Sequence, residues 1–160
     1  MNIPAPTSAA GSPPNIEDGL YVVRFDDIEY RQHPDWATEK DKFGHPDDGG
    51  RFHFIATVLD DERQPVMLAA VKEEVDDPTE EFTLEAMTRN MSSHEKANSY
   101  ALLKGLLTPV EFQLWLASTA DAPADLSAVG GREVNAQVTH NTKGWPQIEA
   151  FLGPAKKKAK

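Results

Sequence analysis

The chain has 160 residues, a formal net charge of −10 and no cysteine. That length suits one domain with a sizeable core, while the missing cysteines exclude disulfides, thiolate metal sites and a cysteine nucleophile and fit a reducing cytosol. No apolar run is long enough to span a bilayer, and the acidic balance, which deepens once the terminal KKKAK is set aside, makes the body repulsive to phosphates at long range.

Residues 1–16 open with MNIPAPTSAAGSPPN, which lacks the charged start and apolar stretch of a signal peptide. They read as a disordered Pro/Ala/Ser leader. The segment LYVVRFDDIEY, 20–30, alternates as a strand does, with Tyr21, Val23 and Phe25 on one face. Ile28 and Tyr30 fall on the opposite phase, and a bulge near Asp26-Asp27 repairs the slip. RFHFIATVLD, 51–60, reads as a second strand, DERQ as a turn, and PVMLAAVK, 65–72, as a third strand completing a hairpin. FTLEAMTRNM, 82–91, fits either a strand or a helix.

Helix signals follow. Ser92 and Glu95 fit a capping box ahead of Tyr100, Leu103 and Leu107. Thr108, Pro109 and Glu111 form a second box before Phe112, Trp115 and Leu116, so 93–117 is expected to be mostly helical with those apolar residues in the core. DLSAVGG, 125–131, suggests one helical turn ended by glycine. REVNAQVTH, 132–140, alternates cleanly, with Val134, Ala136 and Val138 inward. NTKG is a turn and WPQIEAFLG, 145–153, a final strand whose Pro146 places its start at a sheet edge. The expected architecture is mainly β: five strands with a helical segment between the third and fourth, the layout of an OB-fold barrel. The domain is expected over 17–154, with 155–160 as a disordered lysine-rich tail.

Several chemistries can be weighed on residues alone. His33-Pro34-Asp35 and His45-Pro46-Asp47 repeat a His-Pro-Asp triplet, but their spacing matches no standard metal template. A triplet lying between strands also lacks the paired helices of a chaperone J-domain. DDGGRF lacks the Lys-Ser/Thr of a phosphate-binding loop, and no serine sits in a nucleophile elbow. The doubled aspartates mark turns and strand ends. The expectation is a protein that is not an enzyme and that uses no metal and no cofactor.

SYALLKGLL followed by DLSAVGGREVNAQVTHNTKGWPQIEAFLGP resembles the end of phage-encoded OB-fold proteins related to single-stranded DNA-binding proteins. In that group a helix ending in leucines precedes an Asp-Leu…Gly segment. A strand of alternating valines, a Gly-containing turn, an Ile-bearing strand and a Pro-Lys tail follow. EDGLYVVRFDDIEY resembles their first strand, so the likeness covers roughly 17–155. It implies a cytoplasmic protein of phage-type DNA replication or recombination, acting in the host cytoplasm if phage-encoded. The loops flanking an OB-fold's ligand surface would then be 31–50 and the one before the last strand. Trp36, Phe43 and Trp145 would stack on bases, and Arg24, Arg51, Lys72, Arg132 and Lys143 would meet phosphates, with Arg31, Lys40 and Lys42 nearby. The acidic body supports an alternative, an OB-fold interaction or structural module for a basic protein partner. Host, sequence preference and oligomeric state are not legible.

Overall fold

The computed structural model describes residues 13–40 and 44–156. Its strands are β1 (Gly19–Gln32), β2 (Gly50–Val58), β3 (Thr83–Thr88), β4 (Glu133–His140) and β5 (Pro146–Pro154). Its helices are α1 (Leu68–Val71), α2 (Asn98–Leu106) and α3 (Pro109–Ala117). The strands form one antiparallel open sheet in the order β3-β2-β1-β4-β5. The two edges, β3 and β5, also approach each other, with no ladder between them among the described residues.

β1 is the strand common to both parts of the sheet. Residues 19–24 pair with β4 and residues 23–32 with β2, so the strand belongs to two halves of the sheet that overlap at Val23 and Arg24. Phe25 pairs with Ala56 but Asp27 with Ile55, leaving Asp26 as the extra residue of a bulge. The expected phase repair occurs there: after it, Ile28 lies opposite Phe54 and Tyr30 opposite Phe52.

The third strand is not 65–72. That segment makes isolated bridges, Leu59 with Pro65 and Met67 with Glu81, and then one turn of helix, α1. Pro65 has no N–H for a ladder, and Leu-Ala-Ala favours helix over strand. β3 comes instead from the ambiguous 82–91 run. Its alternation is real: Leu84, Ala86 and Thr88 are buried while Thr83 and Met87 are exposed.

The helical segment splits in two. The Ser92–Glu95 box does not form; α2 starts at Asn98, and Ser92 is used locally, its hydroxyl accepting from His94 N–H and its carbonyl accepting from the Ser99 hydroxyl at 2.6 Å. The Thr108 box forms in full, with Glu111 N–H donating to Thr108 Oγ1 at 3.3 Å and Thr108 N–H to Glu111 Oε1 at 2.9 Å. α2 lies so close to β5 that a Cβ on Gly105 would stand 1.7 Å from the Phe151 carbonyl oxygen. Leu102, Leu103 and Leu106 of α2 join Val134, Ala136, Val138, Ile148 and Phe151 in one core. Within it the Phe25, Phe54 and Phe151 rings stand 6.1–6.4 Å apart. The glycine-ended turn appears as a 3-10 turn, Ser127–Val129.

Both flanks touch the domain. Asn15 N–H donates to Val71 O at 2.6 Å, and Ile16 packs against the core. Ala155 N–H donates to Glu133 O, and Arg63, in a left-handed conformation with φ of 65°, donates to Lys156 O at 2.7 Å. Residues 1–12 and 157–160, the greater part of the expected leader and tail, lie outside the described residues. No described helix is long and apolar enough to cross a membrane.

Candidate functional site

The β1–β2 loop is closed at its base by its own backbone. His33 N–H donates to Gly49 O at 2.8 Å, and Thr38 and Asp47 exchange both hydrogen bonds at 2.8 and 2.9 Å. Gly49 has φ of 83°, and a Cβ there would stand 2.1 Å from His33 O, so the position requires glycine. The first His-Pro-Asp triplet begins the 3-10 turn Pro34–Trp36. The second closes the loop: Pro46 O accepts from Arg89, and the Asp47 carboxylate takes both ends of Arg51 at 2.9 and 2.8 Å. Arg51 together with Gly49 N–H holds the Asp47 carboxyl down to about 2. The described residues contain no grouping of three or more histidines or acids placed to hold a metal.

The expected binding residues do not gather in one place. Trp36 is 40% exposed and stacks on His33, centroids 3.9 Å apart at 16°, with the Arg51 guanidinium carbon 5.5 Å from its ring. Arg24 lies farther along the same sheet face, bonded to Asp26 at 2.8 Å, Thr57 at 3.0 Å and Glu81 at 3.5 Å. Trp145, half-buried, and Lys143, exposed, belong to the β4–β5 turn. In the register that turn lies near the start of β1, whereas Trp36 follows its end, so the two tryptophans flank opposite ends of the strand. Arg132 precedes β4 and is bound at both ends by Glu111, 2.6 and 2.8 Å, beside α3. Lys72, half-buried, ends α1. Phe43 and Lys42 lie outside the described residues.

The structure adds groups to the Trp36 end. With Val23, Phe25, Phe54, Leu84 and Ala86 buried, the alternate positions of β1, β2 and β3 face outward. This outer face carries Arg24 and Arg31 from β1, Arg51 and His53 from β2, and Glu85 and Met87 from β3, with Arg89 just beyond. Arg31 donates to Glu29 at 2.7 Å and to Glu85 at 2.8 Å. Arg89 lies 3.8 Å from Asp47. Each of the four arginines therefore meets a carboxylate: Asp26 and Glu81, Glu29 and Glu85, Asp47, and Asp47 again. His53 is 5% exposed, its Nε2 lies 2.9 Å from His33 Nε2, and its Nδ1 lies 2.8 Å from Glu85 Oε1, off the hydrogen-bonding line. Burial lowers the His53 pKa from the ordinary histidine value, against the pull of Glu85.

Arg89 and His53 escape sequence reasoning because their neighbours in space come from other strands. His53 reads as one polar residue within an apolar run, and only the β1–β2–β3 register sets it between Glu29 and Met87. Chemically, the face is a sheet of planar donors pre-oriented by exchangeable carboxylates, bordered by a stacked indole–imidazole pair. No family model, curated protein or solved structure matches the chain.

Proposed function

We propose that this is a non-enzymatic OB-fold protein that binds single-stranded nucleic acid across the outer face of β1, β2 and β3, in DNA replication or recombination of phage type in the cytoplasm. The observation that carries this reading is the gathering of four arginines, the Trp36–His33 stack and exposed Met87 on that one face. The strand order and the approach of β3 to β5 support an OB-fold, whose ligand surface is this face. Bases stack on Trp36, and phosphates exchange with the carboxylates on Arg24, Arg31 and Arg51. The ion pairs of Arg24 and Arg31 are partly exposed and of the kind that contributes about 0–1 kcal/mol each, so their exchange is thermodynamically accessible, while the Arg51–Asp47 fork is more buried and exchanges less readily. Trp145 and Lys143 offer a second contact beyond the start of β1. Affinity is weak to moderate, insensitive to base identity and steeply salt-dependent.

The pairing of each of these arginines with an acid favours a second reading, an acidic interaction module for a basic protein partner. Titration of labelled oligo(dT) at two salt concentrations separates them. Salt-sensitive binding with quenching of tryptophan fluorescence supports the first reading; neither binding nor quenching at low salt supports the second.

A further inference from the structure

Two imidazoles meet edge to edge where the β1–β2 loop touches the sheet. His33 begins the loop and His53 lies in β2, 2.9 Å away Nε2 to Nε2. Glu85 Oε1, 2.8 Å from His53 Nδ1, favours the proton on that nitrogen. The His53 Nε2 lone pair then accepts from His33 Nε2–H. His33 in turn carries the Trp36 ring on its face.

We infer that the His33–His53 pair is a proton-controlled latch that holds the Trp36 end of the loop against the sheet and releases it when both rings carry protons on Nε2. With both Nε2 atoms protonated, two N–H groups face each other and no lone pair remains between them. The groups facing the pair decide when this happens. Burial most strongly opposes protonation of His53; Glu85 from β3 favours it, and Arg31 from β1 and His33 itself oppose it. Glu29 lies opposite His53 in the register but is engaged by Arg31, and Arg51 beyond Trp36 is held by Asp47. The opposing influences prevail, so His53 takes up its proton at lower pH than an ordinary histidine, and the latch opens as pH falls. The sign follows from linkage: His53 binds its proton more readily in the unfolded chain, so its contribution to stability is complete above the ordinary histidine value and declines as pH falls.

Opening has a second effect. Arg31 and His53 touch the same oxygen, Glu85 Oε1. A His53 imidazolium competes for it and loosens Arg31. Acidification thus bares an indole and weakens one of the two carboxylate contacts of Arg31, which keeps its bonds to Glu29, at the face assigned above to nucleic acid. The consequence for binding rests on that assignment; the latch itself does not.

The test is made on the full chain without ligand, by following histidine ring and indole N–H resonances from roughly pH 8 to about pH 4.5. The Trp36 indole is assigned by its loss in Trp36→Phe. The latch predicts that the Trp36 signal shifts with the same midpoint as His53, on the acid side of an ordinary histidine, while the Trp115 and Trp145 indoles stay in place through that step. His33→Phe, which keeps a ring beneath Trp36, and His33→Gln, which keeps a hydrogen bond to His53, should both abolish the step. A Trp36 signal that ignores His53, or a step that persists in both variants, overturns the latch. Because this readout needs no nucleic acid, a failure of oligo(dT) to bind counts against the function proposed above and not against the latch.

Discussion

Along β4 and β5 the inward side chains Val134, Ala136, Val138, Ile148 and Phe151 are all buried, and α2 seals them from above. On the outer face of β1, β2 and β3, only a sheet's thickness from the same core, the side chains are mostly charged and meet in pairs or threes. The first region is held by apolar area and close packing, which are lost together when one member is removed. The second is held by separate polar contacts of small individual weight. A surface of that second kind can exchange its partners for a ligand's without unfolding the domain.

The comparison is broken most severely from the core side. Phe151→Ala should cost about 3–5 kcal/mol in denaturant unfolding, since the ring is 2% exposed and meets both Phe25 and Phe54. Where packing and charge meet, Glu111→Ala should cost roughly 2–3 kcal/mol, because Glu111 closes the Thr108 cap and binds both ends of Arg132. Arg132 holds the Glu111 carboxyl down to about 2, against an ordinary value of 4.5, so the unfolded chain binds the extra proton between those values. Stability from this group is full above pH 4.5 and lost as pH falls toward 2; Glu111→Gln should flatten that part of a pH–stability curve.

From the other side, Trp36→Ala should leave stability within about 1 kcal/mol of wild type. The same change should weaken oligo(dT) binding by about 1–3 kcal/mol, roughly 5- to 150-fold in Kd. A loss of stability larger than the loss of binding would mark the indole as part of the core. The smallest effect is expected from Lys143→Ala, an exposed lysine at the far turn, which should lower affinity by less than about threefold and only at low salt.

What the sequence makes legible follows the same division. Val134, Ala136 and Val138, the phase slip at Asp26 and the Thr108 box are local patterns, and each is found where its pattern points. PVMLAAVK misleads as a strand because an apolar run without alternation does not separate strand from helix, whereas the weaker-looking TLEAMT has the period of two. Ser92 and Glu95 have the right spacing for a cap, but Ser99 claims the Ser92 carbonyl and the helix starts later. At the candidate site, Trp36, Arg24 and Arg51 can be picked out as residue types, but their partners cannot. Glu85 lies 54 residues from Arg31, and Glu81 57 from Arg24, and no pattern in the chain joins them before β3 is correctly placed.

The claim that the outer face of β1, β2 and β3 binds single-stranded nucleic acid is tested most directly by the salt dependence of oligo(dT) affinity, measured by fluorescence anisotropy for wild type and for the Arg31→Ala, Arg51→Ala double variant. If these arginines meet phosphates, wild type binds with a steep slope of log affinity against log salt, and the double variant binds more weakly with a slope shallower by about two. An unchanged slope and affinity in the double variant, or no binding by wild type at low salt, would contradict it.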